Sequence, residues 1–349
     1  MGDSIPAMWM RGGTSKALYL LQTDISSDAA VRDRLLLRIM GSPDRRQIDG
    51  LGGADPLTSK IAIISASDDP EADIDYLFLQ VAVDKAEVGD SQGCGNILAG
   101  VGPFAIERGL VKAEDPVTTV RIRMLNTGEY AEAEISTPNR KVAFAGDESL
   151  DGVPGTAAAI PLFFSNLAGS ICGSLLPTGH ATDTLNGIEC TLIDNGMPCV
   201  IMRAADFGLT GNEPRETLAA DQTLKDAIES IRLQAGRLMG LGDVSKKSVP
   251  KMTLITAANG NAVINTRSFI PHHVHASIGV FAAISVATAC VIPHTVAAPV
   301  ARLPDDSNYI IEHPSGTINV RLEMQADGTI QKSGIIRTAR KLMDGSVFV

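Results

Sequence analysis

The sequence predicts an α+β protein made of two similar halves, each a barrel-like sheet wrapped around one buried helix. Two segments, 97–106 and 276–293, are apolar nearly all round, and each follows a polar loop. Strand-like runs precede and follow both segments. A helix on one face of an open sheet would keep a polar side, so each apolar helix is expected to be enclosed by its own strands.

Length and composition limit the possible functions of the chain. The 349 residues, 44% apolar and 20% charged, suffice for two globular domains. The formal net charge of −10 argues against nucleic acid or an anionic membrane as a partner, because both need a basic surface. An anionic small substrate would need a local basic pocket instead.

The sequence also gives no indication of export or of cross-linking by disulfides or zinc. Its first residues show no secretory pattern, and no stretch is apolar enough for a membrane span. The five cysteines are odd in number and lack C-x-x-C spacing, which indicates neither a disulfide framework nor a structural zinc site. A cytoplasmic location is therefore expected.

Periodicity and turn residues give the elements of each half. The first half is expected to contain two short strands around a polar turn at 11–16, a surface helix at 29–40, a glycine-rich loop and strand at 48–64, a strand at 75–83, the apolar helix, and a hairpin at 118–136. The second half is expected to contain strands at 186–203, an amphipathic helix at 217–238, strands at 251–257 and 262–270, the second apolar helix, and strands at 309–312, 317–324 and 335–337.

Residues 138–155 are rich in glycine, proline and charge, which is typical of a crossover between domains. We therefore predict a first domain over 1–145 and a second over 146–335, with the final residues returning to the first. The active site is expected in the cleft between the two.

Cys94 is the most informative single residue. It lies in the loop D-S-Q-G-C-G-N, which runs directly into the first apolar helix. Unpaired amides and the dipole at a helix N-terminus favour a thiolate or a bound carboxylate. A free cysteine is more often a small buried apolar residue, so that interpretation stays open. The corresponding loop of the second half carries His275 and Ser277, which would face Cys94 if the halves face each other.

Other patterns are weaker by themselves. Arg11, Thr14 and Ser15 offer hydrogen-bond donors, although a plain hairpin turn is the more frequent explanation of such a loop. Lys60 stands where a loop meets a strand, and a solvated strand end is the simpler interpretation.

Motifs for known cofactors and metals are missing or poor. Leu98 occupies the position of the third glycine of a dinucleotide fingerprint, and no phosphate-binding loop or zinc-protease motif occurs. His272, His273 and His275 could bind a metal, but no acidic or thiol partner lies near them in the sequence.

Arg11, Lys60 and Cys94 each lie in one of four long motifs. The motifs are M-R-G-G-T-S-K at 10–16, I-D-G-L-G-G-A-D-P-L-T-S-K at 48–60, C-G-N-I-L-A-G-V-G-P-F-A at 94–105 and R-T-A-R-K-L-M-D-G at 337–345. Through them the sequence resembles, over essentially its whole length, the methylaconitate and methylitaconate isomerases of the diaminopimelate-epimerase-like fold. Within that family it is most similar to the 4-oxalomesaconate tautomerase branch.

The resemblance implies a 1,3-allylic proton shift without cofactor or metal, in the degradation of gallate, protocatechuate and lignin-derived aromatic compounds. It implies catalytic roles for Lys60 and Cys94. His275 could supply a second acid/base, or it could simply bind a carboxylate. Isomerisation of methylaconitate or methylitaconate is the alternative within the family. A non-catalytic protein that only binds carboxylates or a partner is the alternative from another class, and the oligomeric state is open, with a homodimer as one option.

The chemistry gives these residue types a reason. Removing a proton next to an alkene requires a base that is neutral near pH 7, such as an amine in a dry site. Arg11, Lys16 and Lys60 are expected to line one pocket that attracts the anionic substrate. The second-half loop H-A-S-I-G has no thiol, so the two-cysteine mechanism of the epimerases is not expected. The groups expected to hold the substrate are Arg11, Thr14, Ser15, Ser59, Gly95, Asn96, Ser277, Ile278 and Gly279.

Overall fold

The computed structural model describes residues 4–90, 93–270, 273–325 and 330–349. The chain divides into two compact units. Unit 1 contains Met1–Ser165 and Ile336–Val349, and unit 2 contains Asn166–Ile335. The boundary lies later than the predicted 145/146, because the segment interpreted as a crossover is followed by a strand that pairs inside unit 1.

The elements of unit 1 follow the predicted order. Its helices are α1 (Ala29–Met40), α2 (Gly95–Leu98) and α3 (Val101–Glu107), and short 3-10 turns occur at Gln22–Asp24, Pro56–Thr58 and Pro138–Arg140. Its strands are β1 (Ser4–Gly12), β2 (Ser15–Leu21), β3 (Lys60–Ala66), β4 (Ile74–Val81), β5 (Val88–Gly89), β6 (Val117–Met124), β7 (Glu129–Ser136), β8 (Glu148–Leu150), β9 (Val153–Ala157) and β10 (Ala159–Phe164).

Unit 2 contains the remaining elements. Its helices are α4 (Arg215–Ala220), α5 (Gln222–Leu238) and α6 (Val280–Val291), with a 3-10 turn at Ala204–Phe207. Its strands are β11 (Asp183–Leu185), β12 (Ile188–Asp194), β13 (Pro198–Arg203), β14 (Lys251–Thr256), β15 (Ile264–Ile270), β16 (His273–Val274), β17 (Asn308–His313), β18 (Gly316–Met324) and the start of β19 (Ile330–Phe348), whose remainder belongs to unit 1.

The strands of unit 1 close into a ring. The pairing runs β1–β2–β3–β4–β6–β7–β10–β19 and returns from β19 to β1. The strands β2 and β3 are parallel, as are β4 and β6. Helices α2 and α3 contact β1, β2, β3 and β7, and their apolar side chains from Ile97 to Ala105 are buried. Helix α1 packs against apolar side chains of β2, β3 and β4 on the outer face of this ring.

The enclosed helix of unit 1 is not the continuous helix that the sequence predicts. Helix α2 ends at Leu98 and α3 begins at Val101. At the break, the buried hydroxyl of Tyr19 donates a hydrogen bond to the carbonyl oxygen of Ile97 at 2.6 Å. A Cβ atom at Gly100 would lie 2.3 Å from the same hydroxyl, so only glycine fits there.

Unit 2 has a similar internal plan. Its strands pair in the order β11–β12–β13–β14–β15–β17–β18–β19, with β13 parallel to β14 and β15 parallel to β17. Helix α6 is buried from Ala282 to Cys290, as its all-apolar sequence predicts. The predicted helix over 217–238 is split at Asp221, whose carboxylate accepts a hydrogen bond from the amide of Leu224 and caps α5.

Both units therefore have the predicted α+β architecture of strands around a buried apolar helix. In the described ranges, no helix is long and apolar enough to cross a membrane.

Replacing Tyr19 with phenylalanine should destabilise unit 1, because the buried carbonyl of Ile97 loses one of its two donors and keeps only the amide of Gly100. The free energy of unfolding in urea should fall by about 0.5–1.5 kcal/mol. Tyr309→Phe is the matched control, since Tyr309 is buried but its hydroxyl has no hydrogen-bond partner within the described ranges, and its effect should stay below about 0.5 kcal/mol. Equal effects of the two substitutions would contradict this role of Tyr19.

Candidate active site

Lys60 is the first residue of β3, and its side chain lies on the inner face of the unit 1 ring. Ile61 and Ile63 pack in the cluster that contacts α1 on the outer face, so the alternation of the strand directs Lys60 inwards. Lys60 is only 7% exposed. Its Nζ donates a hydrogen bond to Oε1 of Gln80 at 2.6 Å and lies 5.1 Å from the centroid of the Phe78 ring.

The orientation of the Gln80 amide is fixed by its surroundings. Its Nε2 donates to the carbonyl oxygens of Ser59 at 3.0 Å and Pro56 at 3.1 Å, which leaves Oε1 to accept from Lys60. Lys60 thus has a neutral partner, and no carboxylate pairs with it in the part of the chain that the structure describes. The amide oxygen of Gln80 therefore holds the amine in place without adding a second charge.

Ser59 supports the loop before Lys60. The residue is completely buried, and its hydroxyl lies 2.8 Å from Oε1 of Gln47 and 2.9 Å from the carbonyl oxygen of Asp55. Its hydrogen-bonding capacity is used within the loop, so it positions Lys60 rather than offering a donor to a ligand.

Cys94 precedes α2 in an extended conformation and is half-buried. The first hydrogen bond of the helix joins the amide of Leu98 to the carbonyl of Cys94, so the amides of Gly95 and Asn96 are outside the helical ladder. Because α2 has four residues, its dipole is small, and these amides supply the local positive potential instead.

The chain has four other thiols. Burial raises the pKa of the Cys172, Cys190, Cys199 and Cys290 thiols to about 12, which keeps them protonated at neutral pH. Cys94 is distinguished by its place directly before a helix whose first amides are open.

The turn between β1 and β2 packs against the start of α2. Nδ2 of Asn96 donates to Oγ1 of Thr14 at 3.0 Å. A Cβ atom at Gly12 or Gly13 would lie within 2.5 Å of Asn96, so the two glycines permit this close approach. Ser15 is 1% exposed, and its hydroxyl has no described hydrogen-bond partner, so it retains a donor on the same face as Lys60.

Arg11 and Lys16 do not share a pocket with Lys60, and that expectation is wrong. Ala17 is the direct partner of Lys60 in the parallel pair, so Lys16, one residue earlier in β2, points to the opposite face. Arg11 is the direct partner of Lys16 and lies on that same outer face. Its Nη1 donates to the carbonyl oxygen and hydroxyl of Thr338 and to the carbonyl oxygen of Gly13.

Arg337 is a cation of the inner face that the analysis of single residues missed. It is 7% exposed, and burial lowers the pKa of its guanidinium to about 10, so it remains charged at neutral pH. It lies close enough to Cys94 for a thiolate there to oppose that shift. The R-T-A-R motif at 337–340 was the available sign, but its first arginine had no assigned role.

In unit 2, the predicted residues surround the start of α6. The amide of Ser277 donates to Nδ1 of His275 at 2.8 Å, so the neutral imidazole carries its proton on Nε2. Gly279 precedes α6, and the first helical hydrogen bond is from Ala283 to Gly279. The amide of Ser277 is used by His275, so the amides left open in the described ranges are those from Ile278 to Ala282.

Next to these residues is a small pocket of about 90 Å³, and Lys251, Ser268, His275 and Gly279 line it with apolar neighbours. Burial lowers the pKa of His275, and the charge of Lys251 acts in the same direction. Burial also lowers the pKa of Lys251. The pocket is large enough to hold one carboxylate group.

Lys251 has the same place in the topology of unit 2 as Lys60 has in unit 1. Each is the first residue of a strand that runs parallel to its predecessor, β14 beside β13 and β3 beside β2. The sequence predicts Lys251 only as the start of a strand, because its equivalence to Lys60 depends on strand pairing and is not visible in the residues around it.

The histidine-rich loop gives no support to a metal site. His273 is exposed, and His272 lies outside the described residues. Within the described ranges, no three His, Cys, Asp or Glu side chains are grouped as they would be around a metal ion.

Comparison with known proteins identifies the family of the chain. The model of the family described as "PrpF protein" matches residues 3–349. The chain is 58% identical over 349 residues to the (4E)-oxalomesaconate Delta-isomerase of Novosphingobium sp. strain KA1, covering 99% of this chain and 98% of that protein. It is 55% identical to the 4-oxalomesaconate tautomerase of Pseudomonas putida KT2440, covering 100% and 97%.

A solved structure supports the same assignment. The crystal structure of methylitaconate-delta-isomerase superposes with a TM-score of 0.91 at 38% identity, covering 100% of this chain and 96% of that one. The predicted diaminopimelate-epimerase-like fold class is confirmed.

The environment of His275 can be tested by NMR titration. Because burial and the neighbouring cations Lys251 and Arg215 oppose protonation, the pKa of His275 should lie below 6.5. Lys251→Met should raise it, since one opposing charge is lost, whereas the exposed control Lys246→Met should leave it unchanged. A wild-type midpoint at or above 6.5 would contradict the described surroundings.

Proposed function

Since the chain belongs to the PrpF family and is an isomerase, we propose that it moves the double bond of 4-oxalomesaconate by a 1,3-allylic proton shift. The relatives with 58% and 55% identity over nearly the full length carry this substrate in their names. The observation that carries the mechanism is the buried amine of Lys60, held by the neutral oxygen of Gln80.

The reaction needs one base and one returned proton. Lys60 removes a proton from the carbon next to the alkene, and the electron pair of that C–H bond delocalises over the allylic system and its carbonyl group. The double bond moves by one position as a proton is added at the far end of this system. The flexible stem of lysine allows one amine to reach both carbons.

The remaining groups on the inner face of unit 1 stabilise negative charge. The amides of Gly95 and Asn96 and the guanidinium of Arg337 are donors for the enolate oxygen or a carboxylate. Cys94 is the second acid/base, since a thiol beside these donors can give a proton and accept it again. Ser15 supplies a buried hydroxyl without a described partner, and Thr14 shapes the adjoining turn through Asn96.

In unit 2, we assign carboxylate binding to the group around the start of α6. Lys251, the Nε2–H of His275 and the open amides at Val280 all offer donors to an anion. Ser277, Ile278 and Gly279 form the backbone that sets these positions. A proton-transfer role for His275 is the less favoured option, because its ring is held by the amide of Ser277.

Methylitaconate isomerisation is the second candidate, because a methylitaconate-delta-isomerase has the same fold at 38% identity. 2-Methylaconitate is the third acid to assay. We propose that the substrate comes from aromatic-compound degradation, that the enzyme is cytoplasmic in keeping with its unpaired cysteines, and that it forms a homodimer.

Lys60→Met should abolish isomerisation of 4-oxalomesaconate, because the base is lost while the buried volume is kept. The expected fall in kcat is at least about a thousandfold. Cys94→Ser and Cys94→Ala should retain measurable turnover, since the thiol is the weaker base. Deuterium uptake from D₂O, followed by NMR, separates proton abstraction from completed isomerisation.

The exposed Lys112→Met is the control for Lys60→Met and should behave as wild type. Inactive cysteine variants, combined with continued solvent exchange in Lys60→Met, would reverse the two roles. A wild-type protein that exchanges no proton of 4-oxalomesaconate, but isomerises methylitaconate or 2-methylaconitate, would overturn the proposed substrate.

Lys251→Met should weaken substrate binding, since one carboxylate loses its cation. We expect KM to rise by roughly tenfold or more with a smaller change in kcat, and Lys251→Arg to restore part of the affinity. Lys246→Met is the control on the exposed surface of the same unit. An unchanged KM in Lys251→Met would contradict the assignment of Lys251 to the substrate site.

A further inference from the structure

Three cationic side chains form a row across neighbouring strands of unit 1. Lys16 in β2 is the direct partner of Arg11 in β1, and Arg11 is the direct partner of Arg340 in β19. Directly paired residues direct their side chains to the same face, with Cβ atoms about 5 Å apart. Like charges in these positions destabilise a sheet, so the row has an electrostatic cost unless an anion lies against it.

This row lies on the other face of the sheet from Lys60. Ala17, which pairs with Lys60, and Met10 are completely buried and alternate with Lys16 and Arg11 along their strands. The cations therefore cannot serve the inner face, and the mechanism proposed above leaves them without a role.

The row forms part of a pocket of about 610 Å³ built entirely from unit 1. This volume is within the range of small-molecule sites. The β8–β9 hairpin lines the same pocket, with Leu150 and Val153 among its apolar side chains, and Phe144 and Leu342 contribute further apolar surface. Glu148 is the one carboxylate among the residues that line it, which leaves an excess of positive charge.

Arg11 is fixed in a position that presents donors to this pocket. Its Nη1 is anchored by Thr338 and by the carbonyl of Gly13. No acceptor bonds to its Nη2 in the part of the chain that is described. Burial lowers the pKa of Arg11, and the charge of Arg340 adds to that effect, so a bound anion would relieve both costs.

We propose that this pocket is a second anion site, which binds a small di- or tricarboxylate on the outer face of unit 1, separate from the Lys60 site. Three cationic side chains, whose Cβ atoms are about 5 Å apart from one strand to the next, suit a ligand with two or three carboxylates on a short carbon skeleton. The apolar hairpin would contact the carbon skeleton between them. The proposal does not depend on which acid the enzyme isomerises.

The test uses tricarballylate, a saturated tricarboxylate that has no double bond to move, in calorimetric titrations of the full chain. Arg340→Gln should remove one tricarballylate site relative to wild type, or weaken it by roughly tenfold or more. Its kcat/KM for 4-oxalomesaconate should remain within about twofold of wild type, because Arg340 does not reach the inner face. Arg34→Gln, an exposed arginine on α1, is the matched control and should change neither property.

A stability measurement tests whether Arg340→Gln loses the tricarballylate site only because the protein is destabilised. Without ligand, Arg340→Gln should be at least as stable to urea as wild type, because a like-charge contact is removed. Equal numbers of tricarballylate sites in Arg340→Gln and wild type would overturn the proposal. So would a parallel loss of kcat/KM, which would place Arg340 in the reaction site.

Inorganic phosphate is the second probe. Phosphate that displaces tricarballylate from the Arg340-dependent site at comparable concentrations would overturn the assignment to polycarboxylates, whereas weak competition would support it. If the inner site binds no tricarballylate because the proposed substrate is wrong, the Arg340-dependent site still appears as the difference between the two proteins.

Discussion

The helix inside unit 1 has no polar face, and the ring of strands must enclose it on every side. That requirement accounts for several features that look unrelated in the sequence. Close enclosure demands positions without side chains, which Gly12, Gly13 and Gly100 provide. The buried carbonyl at the break of the helix accepts hydrogen bonds from Tyr19 and from the amide of Gly100. The contacts of Gly12 and Gly13 with Asn96 hold the start of α2, directly after Cys94, against the turn between β1 and β2.

Enclosure also separates two electrostatic environments across a single layer of strands. On the inner face, Lys60 is buried against a neutral amide and an aromatic ring. On the outer face, Lys16 pairs with Arg11 in a row of positive charge. Lys16 directly precedes Ala17, the residue of β2 that pairs with Lys60. Alternation of side chains keeps the two sets apart although they are close in sequence.

Much of this organisation could be predicted from the sequence. The long apolar segments and the turn residues located both buried helices and most strands, and the loops of Lys60 and Cys94 were recognised from their motifs. The side of the sheet on which Arg11 lies could not be predicted, because it depends on which residue of β2 pairs with Lys60. The equivalence of Lys251 to Lys60 and the burial of Arg337 beside Cys94 likewise follow from pairings between strands far apart in the chain. The break in the enclosed helix was missed because Ala99 and Gly100 continue the apolar pattern.

The ring of unit 1 closes through its last strand. Residues of β1, at the start of the chain, pair with residues of β19 near its end, and the whole of unit 2 lies between them in sequence. During synthesis on a ribosome, the segment 166–335 is complete before the strand that closes unit 1 has emerged. The N-terminal segments therefore keep an unpaired edge at β1 until β19 has been synthesised, and a chaperone that shields this edge would act on the first half of the chain rather than the second.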